Sequence, residues 1–218
     1  VPKLSFSWNP AAGATGRYRD QGTGRFVSGS AVRKELDVFI ANAESAPRAA
    51  SELLRNGEIS LDDWALQMRQ SIKETHLASI AEARGGWENM TQSDYGRAGQ
   101  IIREQYGYLE EFKEQIASGD QALNGNIDRR AEQYVKAGRE SFYKAKQAEA
   151  KKRGISHVRS LRFPGDSCTE CVELDRVWFE IGDPKYKLPG DRICRKNCRC
   201  GEEYGVMEED GTIVVMGQ

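Results

Sequence analysis

No run of apolar residues in this chain approaches the roughly 18 that a membrane span requires, and its opening residues hold no apolar signal-peptide core. Histidine is almost missing, with two in 218 residues, and proline is sparse at six. Charge of one sign is missing too: the formal net charge of -1 gives no bulk attraction to nucleic acid or to a membrane surface. Cysteine is absent from the first 167 residues, and the total of five is odd, which argues against a secreted disulfide scaffold. A mean hydropathy of -0.67 and 30% charged residues describe a soluble chain with much helical surface, while 39% hydrophobic residues suffice for a modest core and a satellite.

What is present falls into three regions. Residues 1–29 are rich in Gly, Ala and Ser and sustain neither a helical nor a strand period, so they read as an extended arm. Single aromatics interleave with basic residues there. Trp8, Arg17, Tyr18, Arg19, Arg25 and Phe26 are the expected partner-binding anchors, because a purely solvating tail is poor in aromatics.

Residues 30–153 are helical by period and predict a bundle of three to four helices. A first helix carries Val32, Leu36, Phe39 and Ile40 and is expected to end at Pro47. Ser60-x-x-Asp63 is a capping-box-like start, followed by Trp64, Met68 and Ile72 on one face and closed by Gly85-Gly86. Thr91-x-x-Asp94 repeats the start signal ahead of the stripe Ala98, Ile101, Ile102, Leu109, Phe112 and Ile116, and Ser118-Gly119 closes it. A third long segment runs from Ile127 to Ala145. Adjacent acids such as Asp62 and Asp63 diverge around their helix and read as solvated faces, and His76 reads as a surface or half-buried histidine. None of these receives a catalytic role.

Residues 154–218 form a cysteine-rich β module. His157 to Phe163 alternates in strand fashion, Pro164-Gly165-Asp166 turns the chain into Cys168-x₂-Cys171, and a loop returns it to Cys194-x₃-Cys198-x-Cys200. Residues 204–207 and 212–216 read as two strands about the turn at 208–211. So small a unit has too little apolar interior to hold itself together, which is the physical argument for a staple. Zn²⁺ needs four donors, and Cys168, Cys171 and Cys194 with either Cys198 or Cys200 would supply them in a zinc-knuckle-like site. Disulfides, for example Cys168 to Cys200, are the alternative. Arg192, Arg195, Lys196 and Arg199 crowd the last cysteines and are the candidate phosphate contacts of a zinc-stapled nucleic-acid-binding module, diluted by interleaved acids. An enzyme is disfavoured: His157 is the only histidine of the region and nothing in the pattern places a base beside the thiols.

Cys168-x₂-Cys171, Leu174-Asp175, Val177-Trp178, Pro189 and Asn197-Cys198-Arg199-Cys200 together resemble the C-terminal signature of the phage head morphogenesis proteins, the minor head proteins of tailed bacteriophages grouped around the F protein of phage Mu. Where that family carries His-Pro before the last cysteine pair, this chain has Arg195-Lys196 and supplies Cys194 instead. The resemblance implies a non-enzymatic virion protein, made in the host bacterial cytoplasm, with an assembly role at the capsid or portal vertex. Its partners would be the portal or major capsid protein in a symmetric multi-copy particle, with loose contact to packaged DNA. A head-to-tail adaptor or a capsid-decorating protein is the neighbouring alternative.

Overall fold

The structure is a computed structural model that describes residues 6–9, 17–20, 26, 27, 29–163, 165 and 167–216, with side chains from 36 onward except those of 196 and 216. Three short strands come first. β1 (Phe6–Asn9), β2 (Arg17–Asp20) and β3 (Phe26–Val27) pair antiparallel in that order, with Trp8 opposite Tyr18 and Arg19 opposite Phe26. The described pieces of the arm read from composition are therefore extended and bonded to one another. Strands of four, four and two residues are too short to display a period. Arg25 lies outside the described residues, as do the side chains of the other five predicted anchors.

The body is helical: α1 (Gly29–Ala43), α2 (Ser45–Arg55), α3 (Leu61–Arg84), α4 (Gln92–Ser118), α5 (Gly125–Lys136) and α6 (Gly138–Lys152). Both long helices start as their sequences prescribe. Ser60 Oγ accepts from the Asp63 N–H while the Asp63 carboxylate accepts from the Ser60 N–H, and Thr91 and Asp94 repeat the exchange at α4. Each ends on a left-handed glycine, Gly85 and Gly119.

Two expected boundaries differ. Pro47 does not end α1; it sits in the first turn of α2, where its missing N–H would have had no helical partner. The third long segment is two helices, α5 and α6, meeting at Ala137. Gly138 follows because α6 presses on α3 there: a Cβ on Gly138 would lie 2.7 Å from Thr75 Cγ2 and 2.8 Å from Ser79 Oγ.

α3 serves two apolar clusters. Leu36, Phe39, Ile40, Ile80 and Phe142 fill one, and Trp64, Met68, Ile72, Leu109, Phe112 and Ile127 fill the other, where Trp64 meets Phe112 edge-on at 5.4 Å. Each such side chain taken from water contributes roughly 1.5–3 kcal/mol. His76 is fully buried rather than at the surface, sharing a 2.7 Å hydrogen bond with Ser141 Oγ.

The C-terminal module is a four-stranded antiparallel sheet in the order β5 (Trp178–Glu180), β4 (His157–Leu161), β6 (Gly201–Met207), β7 (Ile213–Met216). Val158 on the central strand faces Phe179 on one side and Tyr204 on the other. Its small core joins Ile155, Val158, Tyr186 and Tyr204 to Ala150 of α6, so the module packs directly on the body. No helix among the described residues is long and apolar enough to cross a membrane.

Candidate metal centre

The five thiols converge. β4 delivers the chain to Cys168, which stands just before the short helix α7 (Thr169–Glu173), and one turn later Cys171 points the same way, its Sγ 3.4 Å from that of Cys168. From the far side of the loop, Cys194 opens a tight 3₁₀ turn (Arg195–Asn197) whose N–H groups of Asn197 and Cys198 bond back to Cys194 and Arg195. Arg195 takes a left-handed φ of 49° to make that turn. Cys198 then leads through Arg199 to Cys200, and Cys200 into β6.

Two triads result, Cys168–Cys171–Cys194 and Cys171–Cys198–Cys200, each with its sulfurs within 4.8 Å of one another. Cys171 belongs to both. Its Sγ lies 3.4, 3.6 and 3.8 Å from those of Cys168, Cys194 and Cys198. Four sulfurs on a tetrahedral ion at about 2.3 Å stand about 3.8 Å apart, so these spacings could hold a metal ion. All five cysteines are free thiols, and the spacings around Cys171 are far beyond the roughly 2.0 Å of a disulfide.

The protons are arranged accordingly. The Cys200 thiol and the surrounding N–H groups of Cys200 and Gly190, with the Arg192 guanidinium nearby, hold the Cys198 thiol down at about 4 against the opposing effect of burial. Burial also opposes ionisation of Cys168, yet the N–H groups of Cys171 and Cys194 directed at its sulfur leave it below the ordinary thiol range. Burial pushes Cys171 and Cys194 up, with the Cys198 thiolate adding to it, and Cys200 is pushed up first by its hydrogen bond to that thiolate. Cys198 and Cys168 are thus made more acidic while the rest resist a further negative charge unless a cation joins them, which suits a metal-binding donor set.

Arg192 is where sequence and structure part. It was a candidate phosphate contact, but it is 2% exposed and turned inward, donating to Ser160 Oγ at 2.8 Å and to the Lys187 carbonyl at 3.0 Å, with Nη1 3.7 Å from Cys171 Sγ. It ties β4, the return loop and the sulfur cluster together. Nothing in the sequence separates it from its basic neighbours. Arg195 and Arg199 are exposed, Arg199 lying over the Phe163 ring at 4.2 Å and 3.4 Å from Asp37 of α1, while the Lys196 side chain lies outside the described residues.

Other supporting residues came from outside the cysteine motif. The Tyr143 hydroxyl of α6 donates to the Cys200 carbonyl at 3.2 Å. Half-buried Glu202 accepts from Gln147 and Tyr186, each at 2.9 Å, and from Tyr204. Gly190 sits with φ +102° against α6, where a Cβ would come 3.3 Å from Glu140 Cβ. The Pro189-Gly190 turn was visible in the sequence; its contact with α6 was not. His157, the one conceivable base, is buried and bonded to Ser156 Oγ at 2.8 Å.

No family model, curated protein or solved structure matches this chain.

Proposed function

We propose that the chain is a non-enzymatic structural subunit of a tailed-phage virion, a minor head protein acting in assembly at the capsid or portal vertex, whose tail is stapled by one zinc ion. The observation that carries this reading is the gathering of the five thiols into two triads that share Cys171, beside a helical body, since these residues are among those on which the resemblance to phage head morphogenesis proteins rests. Zinc is the metal that an all-sulfur donor set with no histidine or carboxylate calls for, and a closed set of this kind serves structure. The ligands would be Cys168, Cys171, Cys194 and Cys198. The inward turn of Arg192 takes the best-placed cation out of reach of a phosphate backbone at this face, which weighs against a zinc-stapled nucleic-acid module.

A helical body with a stapled contact surface and a short sheet at its front suits a part that is repeated around a symmetric shell or ring, where modest contacts add up. The test is quantitative mass spectrometry of purified particles. Presence at a fixed copy number, ring-sized or shell-sized, supports a virion subunit; absence from particles that are otherwise complete and infectious overturns it.

A further inference from the structure

We propose, on the footing that the sulfur cluster is a metal centre, that the five thiols also form a site for a pair of copper(I) ions, one in each triad, with the Cys171 sulfur shared between them. The count of donors points there first. A single tetrahedral ion takes four sulfurs and leaves the fifth idle. Two three-coordinate ions that share one sulfur use all five, which the cluster offers as Cys168–Cys171–Cys194 and Cys171–Cys198–Cys200.

The spacing agrees with the count. Within each triad every sulfur lies within 4.8 Å of the other two, and among the described residues no set of four meets that measure. Three sulfurs in a plane around one ion, with bonds of about 2.3 Å, stand about 4.0 Å apart. Each triad therefore takes a three-coordinate ion nearly as it stands, whereas a zinc ion draws a fourth sulfur in. Cys171 is placed to be the shared donor, its Sγ 3.4 Å from that of Cys168 and 3.6 Å from that of Cys194 in one triad, and 3.8 Å from that of Cys198 in the other.

The donors select the ion. Thiolates are soft ligands that suit copper(I), and neither triad contains an imidazole or a carboxylate that would favour a harder ion. Glu170, on the same short helix as Cys171, spends its oxygens on Lys187 Nζ and the Ile193 N–H. Cys171, Cys198 and Cys200 are buried, which shields the inner triad from water, while half-buried Cys168 and Cys194 leave the outer triad as the way in. Five thiolates with two monovalent ions carry more negative charge than four with one divalent ion. The buried Arg192 guanidinium, 3.7 Å from the Cys171 sulfur, stands beside the shared donor to offset it. The bland reading makes Cys200 a small buried side chain next to a four-sulfur site. That reading does not account for a fifth sulfur within ligand range of both Cys171 and Cys198.

The test loads the reduced, metal-free 218-residue chain with copper(I) under anaerobic conditions, against a copper(I)-specific chelator that removes weakly held ions, and counts bound ions by native mass spectrometry. Zinc loading is counted alongside. The wild-type chain should hold two copper ions, and X-ray absorption at the copper edge should show a sulfur shell with a second copper beyond it. Cys200→Ser breaks the inner triad and Cys194→Ser the outer one, so each should fall from two copper ions to one. Cys200→Ser should still bind one zinc, which reports an intact module, and Cys194→Ser repeats the copper count from the other triad. The proposal is overturned if the wild type stops at one copper ion, if either variant still holds two, or if no copper neighbour is seen. Copper stopping at one while zinc loads overturns the copper pair alone, whereas a chain that holds neither metal overturns the metal centre with it.

Discussion

Cys171 is the sulfur on which both triads turn, and replacing it should be the most damaging single change in the cluster. Cys171→Ser should cost more than the roughly 10–100-fold loss of metal affinity typical of removing an outer-shell partner. Cys198 and Cys200 should differ. Cys198 lies 3.8 Å from Cys171 and is held as a thiolate near 4, whereas Cys200 keeps its proton, so Cys198→Ser should release zinc readily and Cys200→Ser should retain most of it. Competition with a chromophoric chelator would rank the three variants, and equal loss at 198 and 200 would contradict the assignment. Asp94 supplies a second residue-scale prediction. Burial works against its charge, but hydrogen bonds from Arg84, the Thr91 N–H, the Thr91 hydroxyl and Arg97 hold its carboxyl well below the ordinary carboxylate range. A carboxyl whose folded pKa is depressed adds stability above the unfolded value of about 3.9 and loses it as pH falls below that. Asp94→Asn should therefore destabilise the chain by about 3 kcal/mol at neutral pH and flatten the acid limb of its stability profile, both readable from urea unfolding at pH 7 and pH 3.

At the scale of elements, the packing of α6 on α3 through Gly138 gives a sharp expectation. Gly138→Val places methyls where Thr75 and Ser79 already sit, and should lower stability by about 1–3 kcal/mol in urea melts while leaving metal affinity unchanged. The same junction shows what sequence could and could not reveal. The starts of α3 and α4 were legible because Ser60–Asp63 and Thr91–Asp94 satisfy their own helix ends locally, and Gly85 and Gly119 were legible as stops because only glycine takes their backbone conformation cheaply. The break at Ala137 was not, since its cause is a neighbour more than fifty residues away in the chain, and Pro47 was misread because proline inside a first turn looks like proline past a last one. α7 and β5 are five and three residues long and leave no period to find. The thiols of the metal centre were legible from spacing, but their second layer was not: Arg192, Tyr143 and Gly190 act through contacts with the cluster and with α6 that only the assembled fold creates.

For the whole molecule, two apolar clusters hold the helical body without help from sulfur, while the C-terminal sheet shares a core of a few side chains with α6. Removing the metal should then act on one part only. Chelator treatment should leave far-UV helical signal largely intact while amides of β4 to β7 lose protection from hydrogen exchange, and added zinc should restore it. Uniform loss of protection across α3 and α4 would show instead that module and body fold as one unit.

The most direct measurement is X-ray absorption at the zinc edge on the purified 218-residue chain. One zinc per chain in a shell of four sulfurs at about 2.3 Å is the expected result. A shell dominated by nitrogen or oxygen, or a chain that takes up no zinc with all five thiols reduced, would contradict the staple.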